Sequence, residues 1–491
     1  MLNDPRVHRE ARTAVRAGFR VTVVAMQSDQ CRIERETVDG YDIIRVRFPQ
    51  RFLLMSLFLR LWSLTLLVKP ILKEGLRLAL GLLPGPQAPW QAPGAPSLLR
   101  RFKWGLMRTI GVLLWPLRLL KPFLGRLNQR LEKSRDTEGA AVAFSGKLSR
   151  YIGEIGFLRN TFWITWAMLR AIRSERAKVF HGHDLPTLPL TTWAARRAGG
   201  KALYDSHEVW VGMCPEWTSF FNAVAQWVEN RYIRRMHAVV TVNEPIADEL
   251  GRRYRIPRPS VVMNCPERES PRFLDPRHSI RAKLGLAPHE PLILYQGRYA
   301  PWRGLEALIE SSRYLSRGIL VLRGYGSNEE DLRRRVAALG DGRRAFMVDP
   351  VPMTDLVSAA AEADIGVVPY TPCTLCNYYA SPNKLFEYMM AGLALAVSNL
   401  PVLEKIVRDH DLGVVFDPAQ PRHIAEQLDA LTENPARLRV CRENAARVAR
   451  ERYHWNHEVQ KLIRLYESLT GHQKTYAACS ADGLSMPAGR G

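Results

Sequence analysis

The feature that most constrains the fold is an alternation of short apolar runs with helical patterns, continuous from residue 177 onward. Runs rich in Val, Ile and Leu that are each followed by a helix are typical of parallel sheets covered on both faces. This pattern predicts the doubly wound α/β class. Twelve segments are predicted as strands, namely 20–26, 41–48, 177–184, 201–208, 237–243, 260–264, 292–298, 318–326, 345–351, 364–370, 393–399 and 412–417.

Twelve strands are many for one sheet, so we expect two Rossmann-like domains that face each other across a cleft. The joint is expected near 266–288, where Pro, Ser and charged residues collect. The predicted organisation is an N-terminal domain over 1–270, a C-terminal domain over 288–452, a helix over 453–470 that packs back toward the N-terminal domain, and a disordered tail over 471–491. Ligands of such sheets bind beyond the carboxyl ends of the strands, so the cleft is the expected site.

The net charge of +22 over 491 residues predicts an anionic partner. Nucleic acid is not expected, because no helix-turn-helix, RNP or zinc-finger signature occurs. The N-terminus lacks the apolar core of a signal peptide, so the seven cysteines are interpreted as reduced thiols of a cytosolic protein. Cys373 and Cys376 form a CxxC without a second ligand pair, which favours a loop over a zinc site.

Much of the positive charge lies in residues 51–135, which hold 15 Lys or Arg against two Glu. No apolar run approaches the ~20 residues of a spanning helix. Basic helices rich in Leu, Trp and Phe are typical of the membrane interface. We therefore predict a helical insertion over 51–150 that holds the protein peripherally on the cytoplasmic face of an anionic membrane; a helical subdomain with a solvated basic face is the alternative. The cations that interrupt its apolar runs are Arg60, Lys69, Lys73, Arg108, Arg118 and Lys121.

Polar clusters follow several predicted strands, where a cleft ligand would lie. DSHE (205–208) follows one strand, and its His207 is suited to bind a sugar or orient a leaving group; HGHD (181–184) resembles a metal ligand set, but nothing else in the sequence supports a metal. For both histidine clusters, ordinary loop histidines are an equal alternative. The turn GRYAPWRG begins at Gly297, and its Arg298 and Arg303 are suited to clamp a diphosphate. Gly326 is expected to let the backbone approach a ligand.

The stretch SPNKLFEYMMAG predicts a helix with Ser381 as N-cap, Pro382 at the first position and Gly392 after its end. Lys384 is unfavourable for the helix dipole in the first turn, and Glu387 lies among apolar residues. An anion bound at the helix N-terminus would account for Lys384. A solvated Lys–Glu pair is the alternative, although a helix between two buried strands has little free surface.

Five of these segments, in order, resemble the family-4 retaining glycosyltransferases of the GT-B fold. They are NDPRVHREARTAVRAGFRVTVVA, YDSHEVW, VTVNEPIADEL, YQGRYAPWRGLEALI and SPNKLFEYMMAGLALAVSNLPVLEKIV, and the resemblance covers about 1–50 and 150–470. The resemblance implies a nucleotide-sugar donor on the C-terminal domain, an acceptor on the N-terminal domain, and no metal or other cofactor.

The resemblance also assigns roles to particular residues. Arg298 and Arg303 would hold the diphosphate, Glu387 the ribose, and His207 the donor sugar near its reacting carbon. Ser381, Asn383, Lys384, Gly297 and Gly326 are predicted to complete the donor site.

Two departures from the family pattern stand out. Tyr379 occupies the place of a second glutamate that contacts the donor sugar in the family. The family's first β-strand and loop are expected to be absent, or to lie upstream of a misassigned start.

We therefore expect a glycosyltransferase of cell-surface polysaccharide synthesis with a lipid-linked or saccharide acceptor. A sugar-nucleotide epimerase, an inactive transferase-like subunit and a basic nucleic-acid-binding protein are the alternatives.

Overall fold

The structure is a computed structural model that describes residues 5–27, 33–47, 137–173, 175–268, 276–340, 342 and 344–471. Its strands are β1 (Thr22–Met26), β2 (Arg35–Val38), β3 (Tyr41–Val46), β4 (Val179–His183), β5 (Lys201–Ser206), β6 (Ala238–Thr241), β7 (Ser260–Val261), β8 (Leu292–Tyr299), β9 (Ile319–Gly326), β10 (Ala345–Val348), β11 (Ile365–Val368), β12 (Ala394–Ser398) and β13 (Gly413–Phe416). Each of the twelve segments predicted as strands coincides with one of them, and β8 extends one residue beyond its segment.

The α-helices connect these strands and cover the sheets. They are α1 (Pro5–Arg16), α2 (Thr137–Ile172), α3 (Leu188–Ala198), α4 (Ser219–Ile233), α5 (Glu244–Tyr254), α6 (Ile280–Leu284), α7 (Leu305–Ser311), α8 (Glu329–Ala337), α9 (Leu356–Ala360), α10 (Leu375–Tyr378), α11 (Asn383–Ala391), α12 (Pro401–His410), α13 (Pro421–Thr432), α14 (Pro435–Glu451) and α15 (Trp455–Thr470). The predicted doubly wound α/β class is confirmed.

The six-stranded sheet has the order β10-β9-β8-β11-β12-β13 and is parallel throughout. Its central strands are continuous apolar runs because helices cover both faces: β11 and β12 are buried at every position. The chain leaves β8 toward one edge of the sheet and returns at β11 toward the other. The carboxyl ends of β8 and β11 therefore frame the switch point, where doubly wound sheets bind their ligands.

The four-stranded sheet has the order β4-β5-β6-β7 and is also parallel. The last helix, α15, packs on this sheet through Trp455, Val459 and Leu462, which join Leu203 and Val262 in one buried cluster. The chain thus returns from the six-stranded sheet to cover the four-stranded one, and both sheets belong to one compact unit.

The three-stranded sheet pairs β1 parallel to β3 and β2 antiparallel to β3. No sequence prediction included β2. Asp39 and Gly40 join it to β3 with φ values of 48° and 83°. Positive φ at both central residues is the geometry of a two-residue hairpin turn, and Asp-Gly is a preferred pair for it.

Residues 49–159 form a second compact unit, of which the structure describes only the part of α2 up to Arg159. The predicted membrane-associating insertion over 51–150 therefore lies almost entirely outside the described residues, as does the predicted disordered tail from 472. No helix in the described ranges combines the length and apolar character needed to cross a membrane.

Candidate active site

A cleft of about 1270 Å³ lies at the switch point of the six-stranded sheet. Its other side is closed by residues of α1 and of the segments that follow strands of the four-stranded sheet. The turn after β8, the segment after β11 and the start of α11 form one wall. Eight of the nine predicted site residues line this cleft, namely His207, Gly297, Arg298, Arg303, Ser381, Asn383, Lys384 and Glu387. They come from distant parts of the chain, so the fold brings them together.

Gly326 does not line the cleft, contrary to expectation. A Cβ at this position would lie 1.9 Å from the carbonyl oxygen of Tyr299, so the residue is glycine because β9 and β8 approach closely there. Gly324, two residues earlier on the same strand, lines the cleft instead.

The turn after β8 is held by its backbone. Trp302 has φ of 63°, and its carbonyl oxygen accepts hydrogen bonds from the backbone N–H and the hydroxyl of Thr371, at 3.3 and 2.9 Å. A Cβ on Gly304 would lie 1.8 Å from the carbonyl oxygen of Pro369. Positive φ at a tryptophan is costly and persists only where the surroundings impose it. The turn therefore presents Arg303 in a fixed position.

Two cations in this wall of the cleft, Arg303 and Lys384, lie over tyrosine rings. The guanidinium carbon of Arg303 lies 4.2 Å from the ring centroid of Tyr370. The Lys384 ammonium lies 3.6 Å from the ring centroid of Tyr295 and 5.6 Å from that of Tyr370. Burial and the neighbouring Arg303 hold the pKa of Lys384 well below its usual range. Two cations this close are stabilised only in part by aromatic rings.

The helix α11 begins at Asn383, and Pro382 is its N-cap. The prediction of Ser381 as N-cap is therefore wrong, because its hydroxyl accepts a hydrogen bond from Asn243 Nδ2 at 3.0 Å instead. The predicted end is confirmed: Gly392 has φ of 75° and caps the carboxyl end. Tyr388 belongs to the core rather than the cleft, and its hydroxyl accepts the backbone N–H of Gln296 at 2.6 Å.

Glu387 faces the cleft from the middle of α11. Burial raises its pKa, while the charges of Arg9 and Lys384 lower it. Arg9 belongs to α1, on the opposite wall, and its guanidinium donates a hydrogen bond to the side-chain oxygen of Asn264. The amide nitrogen of Asn264 in turn donates to Asn383 Oδ1 at 2.8 Å. A polar chain thus runs from α1 to the start of α11.

No sequence prediction included the contribution of α1. Pro5, His8, Arg9 and Arg12 all line the cleft. Their spacing of i, i+3, i+4 and i+7 places them on one helical face. That spacing was the available signal, and it is visible in PRVHREAR.

His207 stands at the carboxyl end of β5. Its Nε2 lies 3.4 Å from Asp205 Oδ2 and its Nδ1 lies 3.6 Å from Asp184 Oδ2. Burial lowers the pKa of this imidazole, but the two carboxylates outweigh burial and raise it to about 9. The adjacent Glu208 also lines the cleft, beside Cys376.

Tyr379 is not among the residues that line the cleft. Its side chain packs against the buried cluster of the four-stranded sheet, and its carbonyl oxygen accepts from Asn243 Nδ2 at 2.7 Å. Tyr379, which follows β11 of the six-stranded sheet, thus contacts the part of the chain that holds the four-stranded sheet. The resemblance implied a carboxylate at this position.

Two family models match the chain. The model "Glycosyl transferases group 1" matches residues 276–448, and "Glycosyltransferase Family 4" matches residues 135–266. The first match contains all six strands of the six-stranded sheet, and the second contains all four strands of the four-stranded sheet.

Curated relatives match across about half of the chain. Alpha-D-kanosaminyltransferase of Streptomyces kanamyceticus is 24% identical over 50% of the chain and 64% of its own length. D-inositol 3-phosphate glycosyltransferase of Rhodococcus jostii is 24% identical over 50% of the chain and 56% of its own length. The matches thus span less than two thirds of either relative.

Two solved structures share the fold of this chain. Sucrose-phosphate synthase of Thermosynechococcus elongatus superposes with a TM-score of 0.60 at 15% identity, over 95% of this chain and 93% of its own. Anabaena HepE in complex with UDP and glucose superposes with a TM-score of 0.51 at 17% identity, over 62% of this chain and 82% of its own. These likenesses establish the fold. The chain therefore has the GT-B fold and carries domains of the glycosyl transferases group 1 and glycosyltransferase family 4 models.

Proposed function

We propose that this chain transfers a sugar from a nucleoside-diphosphate donor to an acceptor bound on the opposite wall of the cleft. The observation that carries the proposal is a pair of cations, the buried Lys384 and the half-buried Arg303, which lie over the ring of Tyr370 at the switch point. Neither forms a salt bridge with a carboxylate of the described residues, and the positive charge of Arg303 disfavours that of Lys384. A bound anion would remove this conflict.

A diphosphate is the anion that fits best. Arg298 lies at the rim, Arg303 and Lys384 lie deeper, and Ser381 and Asn383 add polar groups beside the first turn of α11. Backbone N–H groups at that helix start favour negative charge. Glu387, one helical turn further on, is a carboxylate at the right distance along the helix to accept hydrogen bonds from ribose hydroxyls. HepE, whose structure contains UDP and glucose, supports this assignment.

In the proposed reaction, the bond between the anomeric carbon of the sugar and the diphosphate oxygen breaks, and its electron pair leaves with the diphosphate. The acceptor hydroxyl bonds to the anomeric carbon on the same face, and its proton passes to the departing oxygen. Arg298, Arg303 and Lys384 stabilise the charge that develops on the diphosphate. His207 lies by the donor sugar. No step requires a metal or another cofactor.

The proposal predicts that a nucleoside-diphosphate sugar raises the melting temperature of the full chain and that Glu387→Gln weakens this binding. Loss of a charged hydrogen-bond acceptor costs about 1.5–3 kcal/mol, which is roughly 10- to 150-fold in Kd. The measurement is thermal shift against a panel of nucleotide sugars, followed by titration of the one that stabilises and product analysis with candidate acceptors.

Glu404→Gln, an exposed helical carboxylate paired with Arg408, is the matched control and should leave Kd unchanged. Sugar turnover without any acceptor would favour an epimerase instead. Steep salt-dependent RNA or DNA binding that Glu387→Gln leaves intact would favour the nucleic-acid alternative. No stabilisation by any nucleotide sugar would contradict the proposal.

We further propose that the acceptor is lipid-linked and that residues 51–135 hold the protein on an anionic membrane surface during cell-surface polysaccharide synthesis. The support is the excess of 15 cations over two acids in this apolar segment. Each cation near an anionic leaflet contributes about 1 kcal/mol.

Replacing the six cations that interrupt its apolar runs with glutamine should therefore abolish flotation of the full chain with anionic vesicles. Vesicles of neutral phosphatidylcholine serve as the control for apolar binding, and both proteins are compared on both surfaces. Equal flotation of the wild-type chain and the glutamine variant with anionic vesicles would refute electrostatic membrane association.

A further inference from the structure

A second group of buried ionisable side chains lies outside the cleft lining and is supplied by three separate elements. Glu10 comes from α1, His181 and His183 from β4, and Asp205 from β5. Each offers one ligand atom, and the four atoms all lie within 4.8 Å of one another. Glu10 is 3% exposed and Asp205 is fully buried. Two imidazoles and two carboxylates at this spacing form a potential metal-ligand set.

Several polar atoms of this group have no hydrogen-bond partner among the described residues. They are both carboxylate oxygens of Glu10, Oδ1 of Asp205 and Nε2 of His181. A buried polar atom without a partner costs about 1–3 kcal/mol, and more when it is charged. Buried groups of this kind are rare in folded proteins and indicate an ion or water that completes them. Three of the four candidate ligands thus carry at least one polar atom that makes no hydrogen bond with the residues that the structure describes.

Side chains outside the group contact its members. Arg6 Nε donates to Asp205 Oδ2 at 2.7 Å and lies 3.0 Å from Glu10 Oε1, without hydrogen-bond alignment. The Tyr466 hydroxyl lies 2.8 Å from His181 Nδ1. Outer partners of this type orient the ligands of protein metal sites and are needed for full affinity.

We propose that Glu10, His181, His183 and Asp205 bind one divalent transition-metal ion, with zinc as the best match. Zinc bonds of about 2.0–2.2 Å in a tetrahedron place ligand atoms roughly 3.4 Å apart. Small side-chain rotations therefore suffice to close the group around an ion. Calcium and magnesium are excluded by the two imidazoles, since both ions require oxygen ligands. The ion offsets the charge of two carboxylates that Arg6 and His207 compensate only in part.

The role of this ion is structural. Four protein ligands leave no open coordination position, which is the arrangement of structural zinc sites. The ion would fasten α1 to β4 and β5, and so hold Arg9 and His8 against the cleft. This inference is independent of the proposed sugar transfer, because no step of that reaction passes through the ion.

The test begins with the full chain, freed of any affinity tag. Protein dialysed against a chelator is titrated with Co²⁺, and the visible d–d absorption of four-coordinate Co²⁺ is recorded. We expect saturation at one equivalent, displacement by Zn²⁺, and a rise in melting temperature with added Zn²⁺. Elemental analysis of the protein as purified gives a second readout.

Glu10→Gln and His183→Asn are each expected to weaken Co²⁺ binding at least about tenfold. His410→Asn, a partly exposed histidine on α12 beside Tyr453, is the matched control and should titrate like the wild type. Circular dichroism checks that each variant folds. Absence of saturable absorption in the wild type would overturn the proposal, whatever the variants do. Identical titration of the wild type and two folded ligand variants would also overturn it, because binding would then lie elsewhere.

Discussion

Sugar turnover is expected to fall about 100- to 1,000-fold when Lys384 is replaced by methionine, because one preorganised cation is lost where charge develops on the leaving diphosphate. The ammonium lies over Tyr295, and the hydroxyl of that tyrosine donates to the carbonyl of Arg298 at 2.8 Å. Methionine keeps the length and apolar stem of lysine, so it removes the charge and little else.

The same substitution should leave the folded state as stable as the wild type or more stable. The pKa of Lys384 lies well below its usual range in the folded protein, because of burial and Arg303. A lysine whose folded pKa is depressed destabilises the folded state at any pH below its unfolded pKa, and most fully below the folded pKa, whereas methionine carries no such penalty. Activity and stability are thus expected to change in opposite directions, as is typical of charges kept for function.

The measurement is kcat with the donor identified by thermal shift, together with the melting temperature of the free protein. Lys405→Met is the control, since Lys405 is an exposed helical lysine paired with Asp409. A decrease in kcat of less than about tenfold would show that Lys384 contributes no transition-state stabilisation. A large fall in melting temperature would show instead that the lysine is needed for packing.

The strands of this molecule were predictable because burial determines them. Parallel strands covered on both faces are near-continuous apolar runs, as in DIGVVPY and LALAVSN. Short runs of this kind, each followed by a helical pattern, are readily recognised in the sequence. The hairpin strand β2 was missed because it is a partly exposed edge strand with the sequence RETV, in which three of the four residues are polar. Its only sharp signal is the Asp39-Gly40 turn that follows.

The candidate site was predictable where a residue follows a strand or begins a helix. Arg303 and Lys384 stand in such places, and Glu387 lies about one turn into the helix that holds Lys384, so chain position alone put them near one another. Arg9 was not predictable in this way, because α1 reaches the cleft only through tertiary packing on the other half of the molecule. Likewise, no local pattern links Glu10 to His181, and only the fold brings their side chains together.

Helix boundaries illustrate a smaller limit of the same kind. Ser381 has the composition of an N-cap, but its hydroxyl pairs with Asn243 from the other half of the molecule. A long-range partner therefore displaced the local one, and the helix begins one residue later than predicted, at Asn383. The error is within the uncertainty of any helix end.

The largest loss of stability is expected from Arg323→Met, at about 3–5 kcal/mol of unfolding free energy. Arg323 is 1% exposed at the centre of the six-stranded half. Its guanidinium donates to the carbonyls of Ala359 and His278, both at 2.9 Å, and to Glu362 Oε1 at 3.0 Å. The side chain thus links β9, α9 and the segment before α6. None of the three is expected to keep its position if the side chain is removed.

The size of the stability loss follows from the groups that would be left without their hydrogen-bond partner. Glu362 also accepts from the backbone N–H of Ile280 at 2.7 Å and from the hydroxyl of Ser279 at 2.9 Å, so it cannot turn away into solvent without breaking the start of α6. Methionine would leave this carboxylate without its cation and two buried carbonyls without donors. Removal of one partner from a buried pair costs more than the pair itself contributes.

Urea unfolding of the full chain, followed by circular dichroism, measures the change. The exposed pair of Arg333 with Glu329 on α8 supplies the control, and Arg333→Met should cost less than about 0.5 kcal/mol. The double variant Arg323→Met with Glu362→Gln separates the causes, because it removes the stranded charge but not the orphaned carbonyls. Partial recovery in the double variant would assign the loss to the carboxylate. A loss below about 1 kcal/mol in the single variant would contradict the argument and show that water reaches this position.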